Sequence, residues 1–137
     1  MIAFEGPEVV LGISTANLKA EINDLSKLGE LLPEGAVKDF ASDNNKCSFK
    51  VKGGIAIHLE KDLSPQSENI LLKLNTVAPT PVKFSLEAVA ESHESGCNCR
   101  VRSDADLNPF TKMMVEPALK SLFEEMTEGM KKSFPVV

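Results

Sequence analysis

The stretch Val82-Lys83-Phe84-Ser85-Leu86-Glu87-Ala88-Val89-Ala90-Glu91-Ser92-His93-Glu94-Ser95-Gly96-Cys97-Asn98-Cys99-Arg100-Val101-Arg102 decides the fold. Val82, Phe84, Leu86, Ala88 and Ala90 recur at every second residue, and Cys97, Cys99 and Val101 do the same after the break. A period of two places those side chains on one face of a strand, with the other face left to polar groups. His93-Glu94-Ser95-Gly96 supplies turn chemistry between the two runs. Folding the hairpin about Glu94 and Ser95 sets Ala90 opposite Cys99, Ala88 opposite Val101, and Glu87 opposite Arg102. Apolar meets apolar on one face and acid meets base on the other, a match that a one-residue slip would destroy.

Upstream, the same period extends back to Val37. Cys47, Phe49 and Val51 alternate with Ser48, Lys50 and Lys52; Ile55, Ile57 and Leu59 alternate with Ala56, His58 and Glu60; Ile70, Leu72 and Leu74 follow. Ser42-Asp43-Asn44-Asn45, Gly53-Gly54, Ser64-Pro65-Gln66-Ser67 and Ala78-Pro79-Thr80-Pro81 separate the runs. At Gly53-Gly54 a two-residue loop would pair Phe49 with His58 and turn His58 inward. A three-residue loop from Lys52 to Gly54 pairs Phe49 with Ile57 and leaves His58 in solvent, which the apolar pattern favours. Near the start, Glu8-Val9-Val10-Leu11-Gly12-Ile13 reads as a strand, and Ser14 and Thr15 then offer N-cap oxygens for a helix. Leu18, Ile22 and Leu25 recur at helical spacing, and Leu28, Leu31 and Leu32 continue into a second short helix that Pro33-Glu34-Gly35 stops.

Downstream of the hairpin, Asn108 is an N-cap and Pro109 occupies the first helical position, where a missing N–H costs nothing. Phe110, Met113, Met114, Leu119, Leu122, Phe123, Met126 and Met130 then recur at helical spacing. Pro117 inside the run predicts a kink, and Lys131 and Lys132 suit the C-terminal end of the helix dipole. The helix spans about 24 residues, or roughly 36 Å. A helix of that length after a run of strands needs a sheet to lie on. The expected class is α+β, with one domain over residues 1–137: a curved antiparallel sheet of about six to seven strands around a long C-terminal helix, with two short helices after the first strand.

Composition limits the function classes. The 137 residues are 42% hydrophobic and 26% charged, and all seven aromatics are Phe. Such a chain can bury a core without staples. A formal net charge of −5 repels phosphate backbones unless a basic stripe is segregated. Lys46, Lys50 and Lys52, and Arg100 and Arg102, alternate with apolar residues as the solvent face of a strand does. Glu87 and Glu91 lie nearby to offset the arginines. Nucleic acid is therefore not an expected partner. No run approaches the ~20 apolar residues of a membrane span, and Met1 to Pro7 lacks the basic and apolar regions of a signal peptide. Three cysteines, Cys47, Cys97 and Cys99, make an odd count that suits free thiols in a reducing compartment. The expected location is cytoplasmic, and the oligomeric state is left open.

The candidate chemistry is sparse. Cys97 and Cys99 share a strand face, but zinc wants four ligands and no second pair exists; buried free thiols act as small hydrophobes. His93 sits in a turn. His58 has no nucleophile beside it and reads as an outer-face residue. Glu124, Glu125 and Glu128 read as a solvated helix face. Gly53-Gly54 lacks the strand–loop–helix setting and the lysine of a phosphate cradle. No catalytic residue, metal site or cofactor is expected.

The segments Glu8-Val9-Val10…Ile13-Ser14-Thr15-Ala16, Leu31-Leu32-Pro33-Glu34, Cys47-Ser48-Phe49-Lys50-Val51-Lys52-Gly53 and Ala105-Asp106-Leu107-Asn108-Pro109-Phe110…Lys112-Met113-Met114-Val115 carry a resemblance across nearly the whole chain. It is to small bacterial proteins of the START-like, Bet v 1-like superfamily (SRPBCC), which have the helix-grip fold. The resemblance implies a sheet gripping the terminal helix around a cavity for lipids or other apolar ligands. The first expectation is thus non-catalytic binding of a hydrophobic small molecule or lipid, with Phe49, Leu72, Phe84, Leu86, Cys99, Val101, Met113 and Met114 as lining. The alternatives are a protein-interaction module with a filled core, and a polyketide cyclase or dehydratase. The enzyme would need an inward polar pair, for which only His58 with Glu60 is available, and only in the less favoured loop register.

Overall fold

The computed structural model describes residues 2–31, 37–51, 54–63, 69–78, 80 and 83–136. Strands β1 (Ile2–Glu5) and β2 (Val9–Leu11) lead into helices α1 (Thr15–Asn23) and α2 (Leu25–Leu31). Strands β3 (Lys38–Ser42), β4 (Lys46–Val51), β5 (Ile55–Lys61), β6 (Ile70–Thr76), β7 (Lys83–His93) and β8 (Gly96–Asp106) follow, and helix α3 (Pro109–Ser133) closes the chain. The eight strands form one antiparallel sheet in the order β1-β8-β7-β6-β5-β4-β3, with β2 also paired to β8. The class is α+β, as expected, and the sheet has more strands than the six to seven anticipated. The strands without a named run are β1, whose four residues are too few for a visible period, and β3, which has no buried alternation to mark it.

The deciding hairpin has the expected register: Ala90 pairs with Cys99, Ala88 with Val101, and Glu87 with Arg102. Its turn depends on Gly96, which has φ +145° and closes to within 2.2 Å, measured from an added Cβ, of the Leu11 carbonyl oxygen. Any side chain there would collide with backbone. On the far side of the sheet centre, Phe49 pairs with Ile57 and Ser48 with His58, so the three-residue loop is the one formed. Between Ile70 and Leu72 the ladder to β7 shifts register, and both Leu71 and Leu72 are buried. This is the two-for-one signature of a bulge. At the β3–β4 turn, the Asp43 carboxylate accepts from the backbone N–H groups of Asn45 (2.9 Å) and Lys46 (2.8 Å). Those bonds hold its pKa below the usual carboxylate value. The other expected turns, at Ser64–Ser67 and around Pro79 and Pro81, and the stop at Pro33–Gly35, lie outside the described residues.

The helices start where their caps direct. Ser14 Oγ accepts from Asn17 N–H at 3.3 Å, and the Asn108 side chain accepts from Thr111 N–H at 2.8 Å. Helix α3 continues through Pro117 instead of stopping, and Lys131 and Lys132 occupy its last turn. Its backbone comes closest to β2, β8 and α2, while α1 lies against β6 and β7 and α2 also meets β3. The far end of α3 is tied down where Gly12 N–H donates to the Phe134 carbonyl at 2.9 Å. One buried cluster joins Leu18, Ile22 and Leu25 to the sheet and to Leu119, Leu122, Phe123, Met126 and Met130 of α3.

The N-terminal part of the α3 stripe departs from expectation. Phe110 is 75% exposed and Met113 80%, so the apolar pattern at those two positions marks surface, and Val115 is the first buried residue of α3 among the described side chains. Replacing Phe123 by Ala should lower the unfolding free energy by ~3–5 kcal/mol through a core void. Met113→Ala should change it by less than ~0.5 kcal/mol, as for an ordinary surface position. Equilibrium urea unfolding of both variants checks this.

Candidate functional site

The inner face of the sheet is built in rows. Leu72 on β6 pairs with Ala88 on β7, which pairs with Val101 on β8. Leu74 pairs with Leu86 in the next row, and Phe84 with Ala105 beyond it. On the other side of the Ala88 row, Ala90 pairs with Cys99, which pairs with Val9 of β2. Phe49 on β4 sits among Val51, Ile57 and Leu59, all buried. Six of the expected lining residues, Phe49, Leu72, Phe84, Leu86, Cys99 and Val101, are thus buried on strands of one sheet. Met113 is not among them, because its side chain lies in solvent. The side chain of Met114 lies outside the described residues. Ala88, Ala90, Cys99 and Ala105 are small, and they leave β7 and β8 with a low inner relief.

All three thiols are free and buried. Burial pushes Cys99 up to about 12, with Cys97 beside it adding to the effect. Burial pushes Cys47 up to about 11, reinforced by the charge of Asp43, and raises Cys97 as well. Raised values mean neutral, unreactive thiols at ordinary pH. Cys47 on β4 is separated from the other two by β5, β6 and β7. Among the described residues, no cluster of three or more His, Cys, Asp or Glu side chains could hold a metal ion.

The opposite face carries the charges. His58 follows and precedes the buried Ile57 and Leu59, and it pairs with Ser48. It therefore shares the outer face with Glu60, which faces Lys46 at 3.5 Å. The backbone of His58 is held by Thr80, whose hydroxyl accepts from His58 N–H at 2.8 Å and donates to His58 C=O at 3.1 Å. An inward His58–Glu60 pair does not form. Arg102 Nε meets Glu87 Oε1 at 3.2 Å, and Glu87 is only 6% exposed although it lies on the outer side. Arg100 lies 3.6 Å from Glu8 and 3.9 Å from Glu5. Glu8 and Glu5 thus flank this arginine, where the sequence had suggested Glu91.

Two recesses lined by described residues combine polar groups with buried inner-face side chains, Cys47 and Leu59 in one and Phe84 in the other. One of about 310 Å³ lies beside β4 and β5 and includes Ser48, His58 and Val77. Another of about 440 Å³ includes Lys73, Ser85 and Asp104. Among the described residues, no helix is long and apolar enough to cross a membrane.

One inward residue had not been singled out from the sequence. Phe84 pairs with Ala105 and Ala88 with Val101, which puts Leu86 and Ser103 in the row between them. Ser103 also pairs with Phe4 of β1. The signal was available: the alternation Cys97, Cys99, Val101 runs on to Ser103 and Ala105. A polar residue ended the reading of an apolar pattern that in fact continues.

No family model matches the sequence, and no curated protein matches it. Solved structures do. The chain is similar to the protein XoxI of Bacillus cereus, with TM-score 0.73, 12% identity, and coverage of 98% of this chain and 96% of that one. It is similar to TTHA0849 of Thermus thermophilus, with TM-score 0.69, 12% identity, and coverage of 96% and 95%. It is also similar to DR_A0006 of Deinococcus radiodurans, with TM-score 0.62, 14% identity, and coverage of 97% and 98%. At such identity the likeness is one of fold.

The thiols make a stability prediction. Their folded pKa values lie above the ordinary value of 9.0, so the unfolded chain loses these protons first. The stabilisation is fully present below pH 9.0 and is lost as pH rises toward about 11 for Cys47 and about 12 for Cys99. An aromatic disulfide reagent should accordingly label none of the three rapidly in the native protein at mildly alkaline pH, and all three in denaturant. Rapid native labelling would show that the thiols are accessible.

Proposed function

We propose that the chain is a helix-grip protein of the START-like, Bet v 1-like (SRPBCC) superfamily and that it binds a hydrophobic small molecule or lipid between sheet and terminal helix without transforming it. The supporting observation is a mismatch of widths. A helix with its side chains is about 10 Å across, and neighbouring strands are about 4.8 Å apart, so one helix covers about two strands. Helix α3 comes closest to β2 and β8, and α1 lies against β6 and β7, yet buried apolar inner side chains continue across β5 and β4. A face that is wider than its helix and low at Ala88 and Ala90 gives an apolar guest a place beside α3. The likeness of fold to XoxI and TTHA0849 is compatible with a helix-grip sheet. The outer-face position of His58 leaves binding as the simpler role.

Native mass spectrometry of protein purified from its own host should reveal a co-purifying apolar molecule, and a lipid panel should contain members that raise the melting temperature. Ala88→Leu, which raises the inner relief of β7, should remove both effects while the variant remains folded by circular dichroism. No adduct and no thermal shift across the panel would contradict the proposal.

A further inference from the structure

Among the described residues, the interior holds one polar atom that the fold leaves unused. Ser103 is 2% exposed and faces inward between the buried Val101 and Ala105, with Phe4 of β1 on one side and Leu86 of β7 on the other. Its Oγ is the one buried side-chain N or O atom among the described residues with no hydrogen-bond partner. Thr127 on α3 shows how the same interior treats a hydroxyl that is only packed: it donates to the Phe123 carbonyl at 2.8 Å. The third buried polar residue, Glu87, sits on the outer side against Arg102. The fully buried inward polar groups therefore comprise one satisfied hydroxyl and one unsatisfied hydroxyl; the half-buried Lys61, opposite Leu74 on the far side of β6 and β7 from Ser103, is engaged by the Asn23 carbonyl. A serine hydroxyl donates one hydrogen bond and accepts two, and a buried one without partners calls for a missing group.

We infer that the interior guest is an uncharged amphiphile with a carbonyl or hydroxyl oxygen, and that Ser103 Oγ hydrogen-bonds to that oxygen. The inference rests on the binding role proposed above and narrows its ligand class. An ionised carboxylate at this place would meet a single hydroxyl and no cation, which cannot offset its desolvation. A plain hydrocarbon would leave Ser103 as it is. A ketone, ester or alcohol supplies what the hydroxyl lacks and keeps its chain in the apolar rows.

Wild type and Ser103→Ala are to be titrated with a long-chain methyl ketone, the parent alkane and the fatty acid of equal length, above the carboxylate titration range. Binding is read by displacement of a fluorescent apolar probe, and melting is recorded without ligand. Wild type should prefer the ketone to the alkane by about three- to tenfold, the worth of one neutral hydrogen bond, and should bind the fatty acid more weakly than the ketone. Ser103→Ala should lose the ketone preference, keep the alkane affinity, and melt no lower than wild type. Equal binding of ketone and alkane, tighter binding of the fatty acid, or a preference that survives Ser103→Ala overturns the role of Ser103 and leaves the binding site standing. A lowered melting point for ligand-free Ser103→Ala overturns it too, because the hydroxyl then has a partner within the protein. Failure of wild type to bind any of the three probes overturns both this inference and the binding role.

Discussion

The contact between the apolar face of β8 and the buried stripe of α3 organises the molecule. Val101 and Ala105 on the strand, and Leu119, Leu122, Phe123 and Met126 on the helix, all belong to one buried cluster. Hydrophobic burial is non-directional, so side-chain periodicity must supply the direction. A period of two on β8 gives a flat row, and a period of 3.6 on α3 gives a stripe; each hides its apolar atoms only by covering the other. Strand β8 is also the hub of pairing, since β1, β2 and β7 all hydrogen-bond to it. Displacing α3 would therefore uncover the strand on which the rest of the sheet is assembled.

The two faces of the sheet divide the labour. Inside, α3 lies nearest β2 and β8 and α1 lies against β6 and β7, while buried apolar residues on β4 and β5 extend the apolar surface further. Outside, Arg100, Arg102, Lys46 and Lys50 each have an acidic neighbour, and Glu5, Glu8, Glu87, Glu60 and Asp39 supply them. Apart from Arg102–Glu87, whose carboxylate is buried, these are exposed pairs and contribute little stability. Their effect here is to leave these cations matched on a chain of net charge −5. The three thiols lie buried, with their pKa values raised by that burial, and His58 lies on the outer face.

Much of the fold was legible because register carries redundant information. Ala90–Cys99, Ala88–Val101 and Glu87–Arg102 could be paired from sequence, since any slip would have opposed apolar to charged residues. Phe49–Ile57 followed from the same logic. Strand β1 was not legible, because four residues hold too few alternations and its partner β8 lies about a hundred positions away. Phe110 and Met113 misled for a different reason. Helical spacing tells which residues share a face, but not where along the helix that face leaves the core. The lining residues on strands are readable from alternation, whereas Ser103 is a polar residue at an inward position and interrupts the apolar pattern that marks the row.

Native-state hydrogen exchange of the backbone amides tests the central contact most directly. The account predicts that residues 115–130 of α3 exchange as slowly as β7 and β8, through one shared opening of the whole domain. Fast exchange along that part of α3, with β7 and β8 still protected, would contradict it, because the sheet would then hold together without the helix laid across it.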